Sequence, residues 1–254
     1  MCCFSVAAPT SWLGRLSPPP KVHVSATNLF ARRIERGVQA LAYSMHLRAA
    51  REVAMILPLP VTAGAGEGAV RFIDLHEHPK MFLELAALFP QPIPRKGPFP
   101  QSRQLAPAPL LVVHEVGSFI ASYVPTRADF TRLDPRFRLP SVLFDKVAHY
   151  SDYGFAVFQL KPGDQTIHPM AFTFPTRTPE RLFFPTVHVH DGRWHDRAQF
   201  DHQLYFQHAE GSHYETSESP PTQTYAGLID RAAPLQRQTI VGKHPNQDTW
   251  VDLG

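Results

Sequence analysis

The chain has 254 residues, of which 43% are hydrophobic, enough for one large domain or two small ones with a real core. Its 25 basic and 22 acidic side chains leave a net charge of only +3, which argues against the strong positive field of a nucleic-acid binder. No apolar run approaches the ~20 residues of a membrane span, and 26 prolines favour short strands and ordered loops over long helices.

Taken in chain order, the opening MCCFSVAAPTSWLGRL lacks the basic start and long apolar centre of a secretory signal. Cys2 and Cys3 are the only thiols, vicinal cysteines rarely pair with each other, and a reduced, cytoplasmic setting is therefore expected. The stretch KVHVSATNLFARRIERGVQALAYSMHLRAAREVAMILPLPV reads as an antiparallel meander: Val22 and Val24 alternate, ERG turns, and VAMILPLPV is a buried apolar run. After the small-residue loop TAGAGEGA the period changes. Phe82, Leu85, Leu88 and Phe89 fall at helical spacing, Pro79 suits a first turn and Pro90 ends the run, so the principal helix is expected near 79–89.

A proline-rich loop follows over 90–109, then LLVVHEVGSFIASYVP as two strands around Gly117. The basic stretch TRADFTRLDPRFR is broken by Asp129 and Asp134, and Phe130 and Phe137 can pack inward, so it reads as a solvated Arg-rich face. A second short helix is expected near 141–150, and hairpins at KPGDQ and at Asp191-Gly192. The expectation is a single β-rich α+β domain of packed antiparallel sheets over 1–213, with 214–254 as a peripheral polar tail.

The cysteine pair at the start, AMILPLPV, VRFIDL with its helix, VGSFIASYV, AHYSDYGFAVFQLK, HPMAFTFP and LFFPTVHV together resemble an uncharacterised bacterial family described only as containing a domain of unknown function. The resemblance covers roughly residues 1 to 200 and rests on strand order and apolar patterns. It implies a β-rich fold and no activity.

The stretch PTVHVHDGRWHD carries the candidate chemistry. A two-residue turn at Asp191-Gly192 places His188 opposite His195 and puts His188, His190 and His195 on one face, with Val187, Val189 and Trp194 on the other. Three imidazoles on one face can hold zinc, whose fourth position activates water in a hydrolase or hydratase. The competing reading is a solvated polar face, with Arg193 there to repel a dication. Asp201, His202 and His208 downstream are further ligand candidates, while His76, Glu77 and His78 read as capping and surface groups before the helix.

Cys2 offers a different chemistry. Exposed as the first residue, it would carry a thiol and a free α-amine able to act as its base, as in N-terminal-nucleophile hydrolases. Burial of small thiols in the core is the plainer reading. No phosphate loop and no GxSxG elbow is present in the sequence. The reading favoured by the sequence is a non-catalytic binding or structural domain for a small molecule or protein, with the zinc site of His188, His190 and His195 and the Cys2 nucleophile as alternatives.

Overall fold

The computed structural model describes residues 2–6, by backbone alone, together with 22–90, 119–133, 148–191, 193–211 and 213–254. Its strands are β1 (Cys2–Val6), β2 (His23–Glu35), β3 (Val38–Ala49), β4 (Val53–Leu59) and β5 (Arg71–Ile73) before the helix α1 (Met81–Ala86). There follow β6 (Ile120–Val124), β7 (Gly154–Leu160), β8 (Gly163–Pro175), β9 (Arg181–Phe184), β10 (His188–Val189), β11 (Arg197–Phe206), β12 (Glu215–Thr216), β13 (Gln236–Pro245) and β14 (Thr249–Asp252). Short 3-10 turns occupy Arg127–Arg132 and Ala148–Tyr150.

Two sheets form the body. One runs β10-β1-β4-β7-β6, the other β12-β13-β11-β2-β3-β8-β5, and β14 pairs separately with β9. Most pairs are antiparallel, but β1 with β10 and β2 with β11 are parallel. The expected hairpin of β2 and β3 forms, turning at Arg36-Gly37, where Gly37 adopts φ +82°, a conformation open to glycine at little cost.

Side-chain alternation explains why the sheets pack in layers. In β4, Val53, Met55, Leu57 and Leu59 join the central core, which also holds Leu41 and Tyr43 of β3 and Phe172 of β8. The intervening Ala54 and Ile56 belong to a second cluster with Phe130 and Tyr150, on the outer face of the five-stranded sheet. Period two sends successive side chains to opposite faces, so a strand buried on both is apolar throughout. On the far side of the seven-stranded sheet, Ala40 and Ala42 leave room for α1, whose Met81, Phe82 and Leu85 are buried there with Phe89 just beyond it.

Four sequence expectations change. The meander stops after β3, because VAMILPLPV forms β4 in the other sheet, paired with β1 and β7 rather than with β3. KPGDQ is a corner between sheets rather than a hairpin: β7 pairs with β4 and β6, whereas β8 pairs with β3 and β5. Residues 214–254 supply β12, β13 and β14, and β13 pairs with β11 at ten positions; the segment is polar along β13 but buries Leu228, Ile229, Leu235 and Val251 in the cores, so it is part of the domain rather than a peripheral tail. Of the second helix near 141–150, residues 148–150 form a 3-10 turn and the remainder lies outside the described residues. So do most of the proline-rich loop and the first of the two strands around Gly117.

Candidate functional site

The histidines gather where β10 meets β11, between the two sheets. Val187 and Val189 are fully buried in the outer cluster, so alternation turns His188 and His190 to the other face. On β11, Phe200, His202, Leu204 and Phe206 form the buried row of alternate positions. His188 of one sheet thus meets His202 of the other, with their Nε2 atoms 3.1 Å apart. The ring centroids of His188 lie 4.7 Å from His202, 4.8 Å from His190 and 4.6 Å from Phe200.

The expected hairpin pairing is replaced. β10 pairs in parallel with β1, with Cys2 in register with His188 and Cys3 with Val189. His188 and His195 are instead linked through Asn246, whose Oδ1 accepts the His188 N–H at 2.7 Å. Its Nδ2 donates to the carbonyls of His188 and His195 at 2.8 and 2.9 Å. The His195 ring turns away to Asp191 at 2.9 Å in an exposed pair, and Asp191 also accepts the Arg193 N–H at 3.0 Å. His188, His190 and His195 therefore do not converge. The reason is that β10 is an edge strand whose side opposite β1, where a hairpin return strand would lie, is taken by Asn246 instead. Among the described residues no three His, Cys, Asp or Glu side chains are placed to hold one ion.

Electrostatics follow burial. Loss of water contact, reinforced by neighbouring His190 and His202, pushes His188 down to about 2. Burial lowers His190 to about 4 despite the opposing Asp191, and lowers His202 to about 3 with help from His190. All three are neutral imidazoles at physiological pH. His202 Nδ1 has no hydrogen-bond partner and lies 3.8 Å from Asp201 Oδ1. The other oxygen of that carboxylate accepts the Ala26 N–H at 2.6 Å, while burial raises its pKa overall.

Other candidates lie apart. His76 is exposed and bonded to Asp74 at 2.8 Å and Glu77 at 2.6 Å, the surface role expected of it, although no side chain caps α1. His208 pairs with Asp230 at 3.5 Å. A cleft of about 470 Å³ opens beside Phe200, Ile240, His244 and Trp250, and one of about 390 Å³ beside Phe72 and Leu228. Neither is lined by His188, His190, His195 or His202. The sequence offers His202 as a possible ligand but not its pairing with His188, and Asn246, inside a polar segment, carries no signal that would mark its bridging role.

No protein-family model matches the chain, and no curated protein matches it. Among solved structures, that of baculovirus P35 superposes with a TM-score of 0.54 at 11% identity, covering 91% of this chain and 97% of that chain. A mutated P35 after caspase cleavage matches with a TM-score of 0.46 at 9% identity, over 91% of this chain and 100% of that one. The caspase-8/P35 complex matches with a TM-score of 0.44 at 10% identity, over 90% and 96%. The first of these shows that the two chains share a fold.

Proposed function

We propose that this chain is a non-catalytic domain that acts by binding another protein, and that a protease is the first partner class to test. The observation that carries the reading is the fold shared with baculovirus P35 across almost the full length of both chains. P35 itself is seen in complex with caspase-8 and, in a mutated form, after caspase cleavage. Fold alone does not transfer activity, so the partner class is the step added here. The histidine cluster supports the same side: His188 and His202 are packed against Phe200, whose ring separates them from the cleft that it lines.

The test measures binding and turnover together. Immobilised full-length chain is exposed to recombinant caspase-8 and to a panel of other cysteine and serine proteases, and the same preparation is assayed against generic ester and amide substrates. A stable complex with at least one protease and no turnover is expected. Multiple turnover that disappears in Cys2→Ser would instead establish the N-terminal-cysteine hydrolase. One observation favours that second reading, the backbone register that pairs Cys2 with His188 on neighbouring strands.

A further inference from the structure

We propose that the His188–His202 pair is an acid-sensitive latch that holds β10 against β11 and releases that edge before the rest of the fold opens. This goes beyond the binding role and does not depend on it. The two rings come from different sheets and meet through the same nitrogen, with 3.1 Å between their Nε2 atoms. A contact of that length needs one N–H, donated by one ring to the bare Nε2 of the other, and two neutral imidazoles supply it. A further proton has to sit on an Nδ1, which puts a cation beside Phe200 at a place where His202 has no exposed surface and its Nδ1 no hydrogen-bond partner. Burial of such a charge is costly. A proton on each ring sets N–H against N–H and breaks the contact.

The strand that this bond holds is easily freed. β10 has two residues, ends the five-stranded sheet and meets β1 at two register positions, with Asn246 bonded to its backbone. β2 and β3, by contrast, are paired at ten positions, and short elements with few bonds open at lower free energy than such a core. The charged neighbours act in both directions. His190 lies against His188 with ring centroids 4.8 Å apart, and His23 of β2 repels a proton on His190. The amino-terminal charge, one residue ahead of Cys2, opposes protons on both members of the pair. The β1 residues in register are cysteines, a type uncharged in acid. Asp191 favours a proton on His190, and Asp201, whose carboxyl burial raises, holds its own proton more tightly in the closed state and so resists opening in acid. Burial prevails at the imidazoles, which stay neutral while closed and titrate near ~6.5 once released into water. The open form therefore binds more protons. The closed form is favoured above ~6.5, and below it the open-to-closed ratio rises by up to about 10-fold per pH unit for each released imidazole.

The experiment follows amide hydrogen exchange of the full chain by mass spectrometry between about pH 7 and 5, with rates corrected for the intrinsic pH dependence of exchange. The peptide over 186–191 is expected to lose more than about 100-fold of its protection between pH 6.5 and 5, as two or three imidazoles take up protons on opening. The β3 peptide over 38–49 should keep its protection. His188→Gln retains an amide able to bond His202 Nε2 but does not titrate, so it should reduce the loss over 186–191 by about 10-fold. Protection of 186–191 that is absent at pH 7, that stays constant to pH 5, that is lost together with that of 38–49, or that has the same pH dependence in His188→Gln would overturn the latch. If His188→Gln does not fold, the wild-type chain decides: parallel behaviour of the two peptides rejects a local release.

Discussion

Asn246 does for His188 and His195 what a neighbouring strand would do. It is nearly buried, 6% exposed, and satisfies one backbone N–H and two carbonyls. Asn246→Ala leaves those groups without partners, and unsatisfied buried polar groups cost about 1–3 kcal/mol each. A loss of about 2–4 kcal/mol by chemical denaturation is expected, and a loss below ~0.5 kcal/mol would mean that water takes over the amide's role. The histidine cluster gives a second expectation. His188, His190 and His202 have folded-state pKa values depressed to about 2, 4 and 3, against ~6.5 in the unfolded chain. The unfolded state therefore binds more protons, so this contribution is full above ~6.5 and is lost as pH falls below it. Each group contributes a slope of up to about 1.4 kcal/mol per pH unit. Denaturation midpoints should fall steeply between pH 6 and 4, and a flat profile there would show that the imidazoles are hydrated. At this scale the residue types were legible in the sequence but their partners were not, because His188 meets a residue 14 positions away across the gap between two sheets.

Elements with local signals were legible. The β2–β3 hairpin follows from alternation and Arg36-Gly37, and α1 from its apolar spacing, with Phe82, Leu85 and Phe89 buried together as expected. Leu85 is fully buried, so Leu85→Ala should cost about 2–5 kcal/mol; a change under ~0.5 kcal/mol would show that the helix docks loosely. β13 was not legible because an edge strand keeps one face polar and reads as loop. Its composition nevertheless has a physical purpose. Beyond β12, which covers Gln236 and Arg237, the edge is guarded by Lys243, by a Gly242 kink at φ +103°, and by side chains bonded to its carbonyls. His244 donates to Val241 O at 2.9 Å and Arg197 to Lys243 O at 2.7 Å. Charges, kinks and capped carbonyls discourage edge-to-edge pairing. Lys243→Val should therefore raise concentration-dependent association in light scattering while leaving the monomer's circular dichroism unchanged.

For the whole molecule, the β-rich class and several packed antiparallel sheets could be read from the chain, whereas the arrangement of strands could not. β1 lies between β10 and β4, and β11 lies between β13 and β2. The parallel pairings of β1 with β10 and of β11 with β2 join residues more than a hundred positions apart, and side-chain period says which face a strand buries but not which strand lies beside it. The fold that results is shared with P35, and a binding role follows from it only as a proposal that experiment must meet. The most direct measurement is native mass spectrometry of the full chain incubated with active caspase-8 and a peptide substrate. The account predicts a complex of defined stoichiometry. Free chain and free protease side by side would contradict a role in binding that protease, and peptide substrate consumed in many-fold excess by the chain alone would contradict the non-catalytic reading itself.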